Sequence, residues 1–170
     1  MNTKSRIAEL TQPGCIGLFL QACSGLVTAA ITLRRHVLPI ALAGLCRERS
    51  RRTTDVPPAE TIEKARRLQR YLNFLLTEVV RTTRPCLLRT LALFAYCRQR
   101  GLPVRFHIGV RPDGGSMVSH SWLSLGGNLF LEKPTALLGL EVVYCYPESI
   151  EPSPDLEGFA KEAGRVVPTA

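Results

Sequence analysis

The sequence predicts an α+β fold in which N-terminal helices pack on a small, mainly antiparallel sheet. Apolar residues recur at helical spacing between residues 58 and 97, which indicates helices. They alternate with polar residues in segments between residues 104 and 146, and turns that contain glycine separate these strand-like segments. The 170 residues, 45% of them hydrophobic, suit one domain with a buried core.

Three regions are expected within this single domain. Residues 1–56 are apolar and basic, residues 57–146 carry the periodic patterns, and residues 147–170 form an acidic, proline-rich tail. Residues 1–75 hold twelve Lys and Arg against five Asp and Glu, so the basic excess belongs to the N-terminal half. That excess favours an acidic peptide, a partner protein or an anionic membrane surface. Nucleic acid ranks last, because no aromatic residues interleave with the arginines.

The N-terminal region contains an uncharged run from Thr11 to Leu33. This run is long enough to span a bilayer, but polar residues and three glycines interrupt it. We expect a helix that packs against the protein or a partner, with membrane association through residues 11–33 as the alternative. A signal peptide fits least, because no small-x-small cleavage site ends the run. A shorter apolar piece, Val37–Leu45, and a basic link, residues 47–55, follow.

Two further helices are expected before residue 101. The first follows Pro57-Pro58, and its apolar stripe is formed by Ile62, Ala65, Leu68, Leu72, Leu75 and Val79. The second starts at Pro85 and is apolar on nearly all sides through Cys97, which predicts a central, buried helix. Gly101 suits the position after its end. Cys86 lies near its N-terminus, where the partial positive charge lowers the pKa of a thiol and favours the thiolate.

Strands are expected after this helix. Val104–Val110 alternates as a half-buried strand, with Arg105 and His107 expected on its solvent-exposed side. Met117–Leu125 is a second strand that places His120, Trp122 and Ser124 on one face. The last strand, Leu140–Tyr146, precedes Pro147.

Glu132 is expected on a return strand, Leu129–Lys133, after the turn that begins at Gly126. A three-residue loop would place Glu132 on the same face as His120 and within its reach. A two-residue loop would place it on the other face. In the three-residue case Asn128 also shares this strand face.

Cys86, His120 and Glu132 form a candidate catalytic triad of nucleophile, base and orienting carboxylate. Each has a plainer reading alone: a buried cysteine, a structural strand histidine and a solvated carboxylate. Their presence together favours catalysis. We expect neither a zinc site nor a disulfide framework, since the six cysteines show no CxxC pair or regular spacing. The other five, expected to pack as small hydrophobes, are Cys15, Cys23, Cys46, Cys97 and Cys145. A catalytic thiol needs a reducing compartment, which favours the cytoplasm.

Four segments occur in the order of a known family: Cys86–Leu93, Arg100–Val104, Ile108–Arg111 and His120–Leu123. A carboxylate follows twelve residues after the histidine. This pattern resembles the transglutaminase-like cysteine peptidase domain of lasso-peptide maturation B proteins, over residues 75 to 145. The chain departs from the family at Glu132, where Asp is more usual, and the extra methylene loosens the orientation of the imidazole.

The resemblance implies a papain-like core and a stand-alone leader peptidase without a cofactor. Its substrate would be a ribosomally made precursor peptide, cut between leader and core before an ATP-dependent cyclase closes the ring. Residues 1–75 lack the alternation of the family's leader-recognition domain, so a separate leader-binding protein is expected in trans. Two alternatives remain open: a transglutaminase-like acyltransferase, in which an amine resolves the thioester, and a non-catalytic peptide-binding module.

Overall fold

The computed structural model describes residues 13–47, 58–82 and 85–147. They belong to two compact units, a helical unit that ends at Pro103 and a sheet unit that starts at Val104. Within the described residues, four α-helices precede a four-stranded antiparallel sheet, which confirms the α+β fold. The expected acidic tail, from residue 148 onward, and residues 48–57 of the basic link lie outside the described residues.

The helical unit contains α1 (Pro13–Arg35), α2 (Leu38–Arg47), α3 (Pro58–Phe74) and α4 (Pro85–Gln99). Helix α4 packs against the three others. All residues from Thr90 to Cys97 are buried, which confirms the prediction of a central helix. Burying a large apolar side chain contributes about 1.5–3 kcal/mol, so this continuous buried stretch is a main source of the unit's stability.

The end of α4 follows from Gly101. This residue has a φ of 77°, in the left-handed region that glycine adopts at low cost. The amide N–H of Leu102 donates to the Cys97 carbonyl over 3.0 Å, and that of Gly101 donates to the Arg98 carbonyl over 3.2 Å. These bonds satisfy carbonyl groups of the last turn, and the chain then leaves the helix.

The predicted apolar stripe that begins in helix α3 faces the core over most of its length, although its first member, Ile62, is only half-buried. Ala65, Leu68, Leu72 and Leu75 are buried, whereas Val79 is 61% exposed. The α-helix ends at Phe74, and a π-helical turn covers Leu75–Val79. The wider turn changes the angle between successive side chains and rotates Val79 off the buried face. The opposite face carries exposed ion pairs, such as Glu60 with Lys64 at 2.6 Å, of the kind worth about 0.3–0.5 kcal/mol.

Helix α1 takes up the long uncharged run. Ala22 and Ala29 are buried, while a stripe of four exposed apolar residues, Ile16, Leu20, Val27 and Ile31, follows another face of the helix. The segment Ile16–Arg35 has the length and composition of a membrane span, although one such helix near an N-terminus is weak evidence. The core helix of a soluble protein and a signal sequence have the same properties.

The sheet has the order β3-β2-β1-β4. Its strands are β1 (Val104–Asp113), β2 (Ser116–Leu125), β3 (Asn128–Phe130) and β4 (Glu141–Tyr146). Asp113 pairs with Ser116, and Leu125 pairs with Asn128, so each of the first two hairpins has a two-residue loop. Both loops are Gly-Gly with positive φ at each position, which is the geometry that tight hairpins require.

Candidate active site

Cys86 is the second residue of α4 and is half-buried. The backbone N–H groups of a first helical turn point toward the helix N-terminus, where they favour negative charge. The start of α4 is anchored to α3, because the Arg89 guanidinium donates to the Asn73 side-chain oxygen over 3.3 Å. The predicted position of Cys86 at the beginning of a buried helix is therefore confirmed.

A second thiol, Cys97, lies in the same helix but is completely buried. Burial raises the pKa of this thiol to about 12, despite an opposing effect of the Arg100 charge. Cys97 is consequently a neutral core residue, as the sequence predicted. The four cysteines whose side chains are described, Cys23, Cys86, Cys97 and Cys145, are all thiols rather than disulfides.

His120 and Glu132 lie together in the sheet unit. The distance from His120 Nε2 to Glu132 Oε2 is 3.5 Å. The side chains are 21% and 15% exposed, and His120 Nε2 itself is buried, so the contact between the two groups is shielded from water. A carboxylate in this place can stabilise an imidazolium that forms when the histidine takes up a proton.

The chain brings Glu132 to His120 by a different route from the one expected. The β2–β3 loop has two residues, Gly126 and Gly127, instead of three, and β3 ends at Phe130 instead of continuing to Lys133. Leu131 then adopts a φ of 57°, a left-handed conformation that is uncommon for a leucine. The alternation of strand β3 therefore ends before Glu132. With a two-residue loop, continued alternation would have placed Glu132 on the face opposite His120.

The two-residue loop also corrects the placement of Asn128. Asn128 pairs with Leu125 and therefore shares that residue's face of the sheet, opposite the face of His120. It is exposed, and its side-chain amide donates to the Gly126 carbonyl over 3.4 Å. Asn128 stabilises its own turn and does not replace Glu132.

His107 is buried, with 5% exposure, although the sequence predicted a solvent-exposed residue. Its neighbour Phe106 is also buried, so both faces of β1 are covered at this level. His107 Nε2 lies 2.8 Å from Ser124 Oγ, while Nδ1 is buried without a hydrogen-bond partner among the described residues. Burial, assisted by the positive charge of Arg105, lowers the pKa of His107 to about 4. His107 is therefore neutral at neutral pH.

Sequence reasoning missed the surroundings of His120. Trp122 is 3% exposed, and its ring stacks with those of both His107 and His120. The available signal was Gly109, because a glycine inside a strand pattern often marks a close approach by another group. Here that group is the Trp122 indole.

The helical unit also contains a cavity of about 640 Å³. Its lining from α4 runs from Leu91 to Gln99 and continues to Arg100 just after the helix, so the cavity begins beyond the turn that carries Cys86. Within residues 13–47, 58–82 and 85–147, no group of three His, Cys, Asp or Glu side chains could hold a metal ion. The candidate catalytic groups therefore remain Cys86 in the helical unit and the His120–Glu132 pair in the sheet unit. The pairing of Cys86 with His120 stays a prediction.

Comparison with known proteins gives one match. A family model described as the transglutaminase-like superfamily matches residues 25–145, which include all three candidate residues. No curated protein and no solved structure matches the chain significantly.

Proposed function

Because the chain belongs to the transglutaminase-like superfamily, which includes cysteine peptidases and acyltransferases, we propose that it is a cysteine peptidase. The observation that carries this proposal is the partly buried His120–Glu132 pair, at 3.5 Å, in a chain that also carries Cys86 in the first turn of a buried helix. A thiol, an imidazole and a carboxylate are the groups that nucleophilic catalysis of acyl transfer needs.

The substrate proposed is the precursor of a lasso peptide, which is cut between its leader and its core. Support for this class comes from the order of the segments Cys86–Leu93, Arg100–Val104, Ile108–Arg111 and His120–Leu123. A leader-binding protein would deliver the precursor in trans, and an ATP-dependent cyclase would use the released core. The thiolate needs a reducing environment, which favours the cytoplasm.

In the proposed reaction, His120 accepts the thiol proton and the Cys86 thiolate attacks the carbonyl carbon at the end of the leader. The N–H of Cys86, in the first turn of α4, donates to the resulting oxyanion. The tetrahedral intermediate collapses, the scissile C–N bond breaks, and His120 returns the proton to the amine of the core. Water then attacks the leader thioester with His120 as base, the C–S bond breaks, the leader leaves as a carboxylic acid, and the proton held by His120 returns to Cys86. Glu132 stabilises the imidazolium in both half-reactions.

The apolar stripe of α1 supports a docking role for the N-terminal half. Ile16, Leu20, Val27 and Ile31 are 45–61% exposed, and the basic residues Arg34 and Arg35 end the same helix. Apolar side chains can bury against a partner protein, while the arginines guide its approach. We also assign Arg47, Arg49, Arg51 and Arg52 to docking, and the last three of these lie outside the described residues.

Mass spectrometry of a precursor incubated with the protein and its partner tests the proposal. Hydrolysis gives leader and core fragments whose masses together equal the precursor plus one water. An added primary amine that appears on the leader fragment would establish acyl transfer instead, and an unchanged precursor would indicate a binding module. Cys86→Ala should give no fragments, whereas the matched control Cys23→Ala, which removes another half-buried thiol, should cleave normally.

A further inference from the structure

Three aromatic rings lie nearly parallel on the sheet unit, and one is the proposed base. The planes of His120 and Trp122 differ by 14°, with ring centroids 6.4 Å apart. Those of Trp122 and His107 differ by 13°, with centroids 5.4 Å apart. His120 and Trp122 are two residues apart on β2, and His107 is the register partner of Trp122 on β1. The three side chains therefore share one face of the sheet, at spacings suited to offset stacking.

The backbone at Gly109 provides the space for the indole. A Cβ at this position would lie 2.9 Å from Trp122 Cη2 and 3.0 Å from Cζ3. It would also lie 3.1 Å from the Glu141 carbonyl oxygen of the neighbouring strand, so the backbone has little room to move away. Any other residue at 109 would push the indole out of its position. Gly109 is the register partner of His120, so this displacement would occur directly beside the base.

The other end of the row is fixed by a hydrogen bond. His107 is buried, and its Nε2 lies 2.8 Å from Ser124 Oγ. The pKa of His107, lowered by burial, keeps the ring neutral near pH 7, so that it stacks on the indole as an uncharged aromatic ring. Ser124 and Gly109 thus constrain Trp122 from two sides.

The plane of the His120 ring decides which of its atoms faces Glu132. The distance from Nε2 to Glu132 Oε2 is 3.5 Å, longer than the 2.7–3.2 Å of a well-formed N–H···O hydrogen bond. The χ2 torsion of histidine has a broad, two-fold profile, so a ring that stacks on the imidazole narrows the range of planes it adopts. A half-turn about χ2 would replace Nε2 by Cε1 beside Glu132 and would move Nδ1 as well. The base would then present carbon where proton transfer needs nitrogen.

We propose that Trp122 is a positioning residue for His120: the indole sets the plane of the imidazole, and Gly109 and His107 hold the indole in place. Its kinetic consequence rests on the proposed peptidase function. The orientation of the ring is measurable without a substrate, so the two proposals can fail separately.

The direct test is NMR of the full chain with isotope-labelled histidine. The sequence contains three histidines, and single replacements assign their signals. In the parent protein the ring current of Trp122 should displace the His120 ring-proton signals. Trp122→Leu should remove that displacement and broaden or average the signals, and Trp122→Phe should restore part of it. Met117→Leu, at a 64% exposed position of the same strand, is the matched control and should change nothing.

The effects of the variants on kcat should follow the same order as their effects on the His120 NMR signals. Trp122→Leu should lower kcat by about 10- to 100-fold with little change in KM, because the ring is misplaced while the substrate still binds. Trp122→Phe should recover most of this loss, and His107→Phe, which keeps a stacking ring, should be less harmful than His107→Ala. Gly109→Ala should lower kcat in the parent but add little in a Trp122→Leu background, since its effect passes through the indole.

Unchanged His120 signals and unchanged kcat in a folded Trp122→Leu protein would overturn the positioning role. If Trp122→Leu does not fold, Gly109→Ala and Trp122→Phe provide the test instead. A Gly109→Ala protein whose His120 signals match those of the parent would also overturn the positioning role. A parent protein that leaves every precursor intact but shows the Trp122-dependent His120 signals would remove the proposed function and support the positioning role.

Discussion

The buried His107 should make the protein less stable in mild acid, and a single replacement should remove this effect. Burial, with a further contribution from Arg105, lowers the pKa of His107 from 6.5 to about 4 in the folded protein. Its geometry agrees, because protonation would place an N–H on Nδ1, where no described residue offers an acceptor. Between about pH 6.5 and about pH 4, the His107 imidazole is therefore protonated in the unfolded chain but neutral in the folded protein. Stability is fully present above pH 6.5, falls as the pH drops below that value, and stops falling near pH 4.

The magnitude follows from the two pKa values. The full effect, reached near pH 4, is about 3 kcal/mol at about 1.4 kcal/mol per pKa unit. Between about pH 7.5 and about pH 5.5 the expected part of this loss is about 1 kcal/mol. His107→Gln keeps a polar side chain near Ser124 but does not titrate. Other ionisable groups are the same in both proteins and cancel in the comparison.

Urea denaturation of both proteins at the two pH values measures the effect. The free energy of unfolding of the parent should fall by about 1 kcal/mol more than that of His107→Gln on going from about pH 7.5 to about pH 5.5. Equal losses in the two proteins would show that His107 titrates normally, and a smaller loss in the parent would reverse the sign. Either result would refute the account of a neutral, buried imidazole.

Further predictions concern the catalytic groups and docking. Cys86→Ala and His120→Ala should each lower kcat by at least about 10⁴-fold without unfolding, and the double variant should be little worse, because the groups act as a unit. Glu132→Asp should retain most activity and Glu132→Gln should lose more, because only the former keeps the charge beside the imidazolium; equal rates for Gln and the parent would exclude Glu132. A thiol reagent, followed by peptide mapping, should label Cys86 before Cys97, whose pKa is raised to about 12 by burial. Reversing the charges at Arg47, Arg49, Arg51 and Arg52 should weaken partner binding in a pull-down, as should salt near 1 M, where the screening length is about 3 Å; unchanged binding and cleavage would remove the docking role.

The helices and most strands could be predicted from sequence because their apolar periods are local. The continuous apolar circumference of α4 required a central position, and Gly101 marked its end. The predicted apolar stripe agrees with the structure through Leu75 but is wrong at Val79. The sequence carries no local signal for the point at which an α-helix widens into a π-helical turn.

The site was predictable in part, for reasons that differ between its members. The proximity of His120 and Glu132 was predicted on the assumption of a three-residue loop, whereas the structure reaches it through a two-residue loop and the left-handed Leu131. A positive φ at leucine has no sequence signal. The burial of His107 was not predicted, because the alternation in β1 indicates one buried and one solvent-exposed face. In the structure both faces of β1 are covered at this level. The three roles in catalysis remain predictions.

The most direct test of the central claim is the intact mass of the protein after acid quenching during turnover of a precursor. The account predicts a population heavier by the leader acyl group, with the adduct mapped to Cys86 and absent from Cys86→Ala. His120→Ala should accumulate little adduct, because its thiol is not activated. Cleavage of the precursor by the Cys86→Ala protein at the parental rate, or an adduct located on another residue, would contradict the assignment of Cys86 as the nucleophile.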